Sequence, residues 1–241
     1  MIDEVGSILS CKPRAFELFA KTTAYFGQDL RFHRQGQGDP ASCLCFRPTT
    51  GQFVEVIVKV HPEPAAITHE CLHLMMAMDG FPIGWSGAME SRHALAPLEN
   101  LVAHAMFIDV FLNLGFNRAQ FVFDSANMEN VGSIWATIGE LKQYPEREKY
   151  MRGYWNGQYL AHLIARRLEF PDQLDEFLRI GRSHFTTMDR DAQWIERWLD
   201  RAEFRDAKSY AAAMNELLTE IGFDPVGFVA IRPIGNRIQT V

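Results

Sequence analysis

Over residues 13–26 (PRAFELFAKTTAYF) apolar anchors fall at Phe16, Leu18, Phe19 and Tyr25, with Pro13 near the first turn. That spacing predicts a helix. Residues 29–34 and 42–47 are short strand candidates, and the GQGDP between them reads as a turn. The clearest strand follows at residues 53–60 (FVEVIVKV). It is rich in β-branched residues and places Glu55, Ile57 and Lys59 on one face. HPEPA then ends it.

From about Ala65 the pattern turns helical and mostly stays so. A helix through Met78 is expected to stop at Asp79-Gly80, and another to run from Pro97 to Leu114 with Gly115 as its C-terminal cap. Helical patterns recur over residues 131–143, 148–168, 172–181, 189–203 and 206–221, while the last twenty residues read as irregular or extended. The expectation is an α+β fold in one domain over residues 1–241. A small β-sheet in the N-terminal part is followed by a mainly helical C-terminal half.

Composition narrows the class. The chain has 241 residues, of which 47% are hydrophobic and 22% charged, the balance of an ordinary globular protein rather than a disordered or fibrous one. A net charge of −6 argues against a nucleic-acid partner, which calls for a basic face. No apolar run reaches the roughly 20 residues of a membrane span. The N-terminal MIDEVGSILSCKPR carries acids where a secretion signal would carry bases. Cys11, Cys43, Cys45 and Cys71 do not form a disulfide framework. The expected compartment is the cytoplasm, with free thiols and no membrane partner.

One segment carries chemistry: Ile67-Thr68-His69-Glu70-Cys71-Leu72-His73-Leu74, an H-E-x-x-H motif inside a helical pattern. Residues four apart share a helix face, so the His69 and His73 imidazoles converge on one ion. Glu70, one position on, flanks that ion and is placed to take a proton from bound water. Zinc lowers the pKa of such a water to about 7. Cys71 rotates to another face and is expected to be a small buried residue.

On these residues the chain resembles the zincin metallopeptidases, over roughly residues 50–115. The resemblance implies a small sheet, an active-site helix bearing the motif, and a later helix or loop supplying a third metal ligand. Residues 1–115 would then be the zincin-like portion, with residues 116–241 a helical portion packed on it. It also implies an edge strand that aligns substrate backbone, for which residues 53–60 or a neighbouring strand are candidates. The reaction implied is hydrolysis of a peptide or protein substrate by a zinc-activated water, with Glu70 as general base.

The third ligand sets the subclass. The metzincin continuation is missing, because Met76 and Asp79 stand where a glycine and a histidine would be; Asp79 stays open as a ligand, although Asp79-Gly80 also reads as a helix-terminating turn. The gluzincin branch uses a glutamate on a later helix, and Glu99, 26 residues past His73, is the residue expected to fill that role. An acid in a first helical turn also offsets the macrodipole. The thermolysin-like branch has an aspartate four residues after its glutamate. Here that position is Ala103, leaving Asn100 or Asp109 as supporting partners. His104 is the rival ligand, about 140° around the helix from Glu99, so both can hardly face one metal. His93 is a weaker rival still.

Tyr159 and His162, three apart in an aromatic segment, either stabilise an oxyanion or simply pack. The Met75, Met76 and Met78 cluster reads as adaptable core. No Gly-rich phosphate loop, G-x-S-x-G elbow or C-x-x-C pair is present. Two functions follow: a cytoplasmic zinc-dependent hydrolase, or a non-catalytic interaction module that retains the scaffold.

Overall fold

A computed structural model describes residues 1–34, 43–46, 54–58, 63–85, 89–122, 188–234 and 237–240. The helical segments expected at 131–143, 148–168 and 172–181, with Tyr159 and His162, lie outside the described residues. The fold is α+β and mostly helical. It comprises two compact units: Met1–Ile83 with Met106–Asp124 and Val229–Val241, and Gly84–Ala105 with Ser125–Phe228.

The first unit opens with α1 (Ile2–Leu9), which the sequence reading did not anticipate. Asp3 and Glu4 in its first turn complement the helix dipole, and Val5 and Leu9, one turn apart, are buried. In α2 (Pro13–Phe26) Pro13 occupies the start, where a missing N–H costs nothing. Ala15, Leu18, Phe19, Thr22 and Phe26 form its buried stripe. Gly27 ends it with φ of +56°, a left-handed turn that a side chain would strain.

Three strands follow, β1 (Leu30–Arg34), β2 (Cys43–Phe46) and β3 (Val54–Val58), in the order β1-β3-β2. The strand with the strongest sequence signal is thus the central one, parallel to β1 and antiparallel to β2. Leu30, Phe32, Val54 and Val56 are buried, whereas Arg31 and His33 are exposed. This alternation fixes the register, since a one-residue slip would turn the apolar set to water. Phe32 meets Phe19 of α2 with ring centroids 5.6 Å apart. Both edges of β3 are occupied, so the expectation that residues 53–60 offer an open edge is corrected. Any strand addition falls to the neighbours β1 and β2.

Helix α3 (Pro64–Met78) matches the predicted span and sits in the middle of this unit, packed by α1, α2, α5, β6 and the sheet. None of its residues is fully exposed. A helix apolar all round must be enclosed all round, which is why α3 lacks a one-sided pattern. It closes at Gly80, φ +89°, with Phe81 N–H donating to the Met76 carbonyl and Gly80 N–H to that of Ala77. This is the glycine-terminated closure expected at Asp79-Gly80.

Helix α4 (Met89–Asn113) starts eight residues before the expected Pro97. Proline removes one helical hydrogen bond, yet Ala94, Leu95 and Leu98 around it are all buried. Tertiary burial overrides the local stop signal. Past α4, Gly115 takes φ of +92°, and α5 (Arg118–Val122) begins at Asn117, whose side chain and that of Gln120 accept each other's backbone N–H at 3.0 Å. Strands β6 (Ile231–Ile234) and β7 (Arg237–Thr240) form an antiparallel pair where an irregular or extended tail was expected.

In the second unit lie the N-terminal part of α4, α6 (Met188–Leu199) and α7 (Ala207–Glu220). Asp206 and Ser209 form a reciprocal capping box at the start of α7. The Asn215 side chain binds the Val226 backbone in both directions, at 2.8 and 3.1 Å, pinning the segment that leads into β5 (Gly227–Val229). β5 pairs with β4 (Ile83–Trp85). Among the described residues no helix is long and apolar enough to cross a membrane.

Because α3 is enclosed, truncating its core side chains leaves a cavity that neighbours cannot refill. Leu74→Ala, at a position 1% exposed, is expected to cost about 3 kcal/mol in urea unfolding.

Candidate functional site

Helical periodicity puts His69 and His73 on one face of α3. Their Nε2 atoms are 3.2 Å apart and their ring centroids 5.0 Å. The spacing of two nitrogens on a tetrahedral zinc is about 3.3 Å for Zn–N of about 2.05 Å, so the pair is already at chelating distance. Without an ion, the same geometry is a hydrogen bond between the two rings, one donating and one accepting.

An aromatic wall surrounds the pair. Phe107 of α4 stands edge-on to both imidazoles, with centroids 5.6 Å from His69 and 4.9 Å from His73 at interplanar angles of 85° and 89°. Phe121 of α5 lies 5.0 Å from His69, and 5.8 Å from Phe107. Burial pushes the His73 imidazole well below its ordinary pKa, and the neighbouring His69 adds to the effect. A neutral ring is the form that donates to a metal.

His104 stands three residues before Phe107 on the continuous helix α4, on the same side of it. One ligand atom each from His69, His73 and His104 lies within 4.8 Å of the other two. Among the described residues these three make the one such group of histidines, cysteines and acids able to hold a metal ion. The set is all nitrogen, which suits zinc and other borderline divalent cations.

Glu70, adjacent to His69, is buried at 6% exposure. Its charge is the lesser cause, after burial, that drives the Cys71 thiol far above its ordinary pKa. Cys71 is therefore an inert buried thiol, as its place on another helix face implied. Asp79 is exposed and lies at the end of α3, its N–H donating to the Met75 carbonyl; it is not in the histidine group.

Glu99, the residue expected to be the third ligand, is not in that group either. Its carboxylate accepts the Gly84 N–H at 2.7 Å. Gly84 is required there, because a Cβ would collide with the Leu95 side chain and stand 3.1 Å from Glu99 Oε1. Burial raises the Glu99 carboxyl to about 7, opposed by the Gly84 hydrogen bond. Burial, then the Glu99 charge, holds the Tyr210 hydroxyl well above its ordinary range. Asn100 and Asp109, the proposed supports for a metal-bound Glu99, are exposed. Phe107 and Phe121 were missed by sequence reasoning. The signal was present for Phe107, which follows His104 at helical spacing, and absent for Phe121, which arrives through a turn.

Comparison with known protein families, curated proteins and solved structures finds no match for this chain.

A carboxyl whose folded pKa exceeds its unfolded value stabilises the native state at low pH. That contribution is present below the ordinary value of 4.5 and is lost as pH rises through about 7. Glu99→Gln keeps the shape and removes the titration. In thermal melts across pH 4.5–7.5, the wild-type midpoint is expected to fall relative to that of the variant. Parallel curves would show that Glu99 does not titrate in this window.

Proposed function

We propose that this protein is a zinc-dependent hydrolase of zincin-like type, in which His69, His73 and His104 hold the metal and Glu70 is the general base. The observation that carries the reading is the convergence of three ring nitrogens, the first of which is followed in sequence by a buried acid. Three protein ligands leave a fourth position open, the ligand count of catalytic rather than structural zinc sites. When bound, the ion lowers the pKa of a coordinated water to about 7 and polarises a substrate carbonyl.

The chain's own residues supply the rest. Glu70 takes the proton of the attacking water and returns it to the leaving amine. Phe107 and Phe121 fix the imidazole planes and keep bulk water from the ligand nitrogens. The substrate class is an amide, most simply in a peptide or protein, as the zincin resemblance implies. His104 replaces Glu99 as third ligand because Glu99 is engaged by Gly84 and sits about 140° away around α4.

A second reading has one observation in its favour. Phe107 and Phe121 are both nearly fully buried against the histidines, an enclosure that also suits a structural metal in a non-catalytic module.

Purified protein is expected to carry stoichiometric zinc and to lose thermal stability in chelator. His104→Ala should weaken metal binding at least tenfold, whereas Glu99→Gln should leave it intact; the reverse order would restore Glu99 as the ligand. Glu70→Gln should keep the metal and lower peptide hydrolysis by about 10²–10⁴-fold. Zinc-loaded protein with no hydrolytic activity on a diverse peptide library would favour the structural-metal module.

A further inference from the structure

Within the first unit, α2 packs along α3, the helix that carries His69 and His73. The start of α2 also reaches the far end of α4. Lys12, the residue before α2, donates to the Gly115 carbonyl at 3.3 Å, and its ammonium stands 5.2 Å from the centroid of the Phe116 ring. Arg14, in the first turn, donates to the Asn113 carbonyl at 3.1 Å. Asn113 and Gly115 lie where α4 ends, and a helix C-terminus has carbonyls without intrahelical donors and a partial negative charge. Two cations answer both needs at once. They do so from sequence positions about a hundred residues away, so this contact joins elements that nothing local would bring together.

From that grip a run of ring contacts leads to the histidines. Phe116 stacks on Phe111 at 4.8 Å, Phe111 meets Phe121 at 5.0 Å, and Phe121 meets His69 at 5.0 Å. Phe111, Phe116 and Phe121 are all buried, so the run is packed and a displacement at one end shifts the other. On α4 itself, Phe107 lies one turn and a half before the gripped end and touches both imidazoles.

We infer that Lys12 and Arg14 are positioning residues for the three-histidine centre, fixing the C-terminal end of α4 and its aromatic run so that the rings on α4 and α5 seat the imidazoles of α3. The inference rests on the three-histidine reading. Neither cation touches the centre, and each acts through backbone carbonyls and rings. Loss of the grip lets the end of α4 shift, and a centre whose three ligand atoms, one of them on α4, must stay within 4.8 Å of one another tolerates little shift.

The test uses the full chain and cobalt(II) and zinc(II) as probes. Affinity is measured by competition with a chromophoric chelator, and geometry is read from the visible cobalt bands. Lys12→Gln with Arg14→Gln should bind both ions about tenfold more weakly and change the cobalt bands, with far-ultraviolet circular dichroism unchanged. Lys12→Arg with Arg14→Lys, which keeps both cations, should restore affinity. The milder Lys12→Gln alone should show a smaller loss of the same kind. A merely structural grip would lower the melting point in chelator while leaving affinity and bands as in the wild type, and that result overturns the inference. Wild-type protein that takes up neither ion overturns the three-histidine reading itself, and the inference with it.

Discussion

Two imidazoles one helical turn apart on an enclosed helix are the constraint around which the site is arranged. Ring nitrogens are strong polar groups, and removing them from water is costly unless each finds a partner. At 3.2 Å the Nε2 atoms of His69 and His73 answer one another as long as the accepting ring stays neutral. Protonating that ring would set two donors against each other inside an aromatic wall. Burial and the neighbouring ring therefore drive the His73 pKa down together. The arrangement that satisfies the pair without a metal also holds the two nitrogens at the spacing a metal needs, and the donating ring has only to move its proton to Nδ1 to free its Nε2 lone pair.

The third member of the histidine group follows from the phase of α4. Had that helix begun at Pro97, Glu99 would stand in its first turn, where the dipole alone accounts for an acid. It begins at Met89, so Glu99 is ten residues into the helix and the dipole argument lapses. A carboxylate in mid-helix, half-buried, needs a donor of its own. Gly84 provides one, at a position where any side chain would collide. Five residues further along, a rotation of about 140° turns His104 to another side, the side of Phe107. One helix thus separates the two residues that the spacing left in competition.

Much of this was legible in the chain. The motif helix was marked by the period of its apolar residues and ended where Asp79-Gly80 said it would. Run-together Val and Ile marked β3, although the pattern could not say that both its edges are paired. What stayed hidden shares a cause. Pro97 reads as a boundary only until the burial of Ala94, Leu95 and Leu98 is known, and burial is a property of partners distant in sequence. The placement of Phe121 against His69 depends on the turn after Gly115 and on the reciprocal Asn117–Gln120 cap, which are local events with a long-range result.

The enclosure of the histidines bears on why the acid of the motif matters more than its neighbours. A hydrophobic shell strengthens every charge placed inside it. Of the acids discussed, Glu70 is the one next to a histidine in sequence and buried, while Asp79 and Asp109 are exposed and Glu99 is occupied by a backbone N–H. On the proposed reading a carboxylate in that position has two employments: accepting a proton from water held at the three nitrogens, or serving as fixed counter-charge to a bound cation. These differ in whether the proton moves, so within that proposal the distinction between an enzyme and a metal-stabilised module turns on the proton affinity of one side chain.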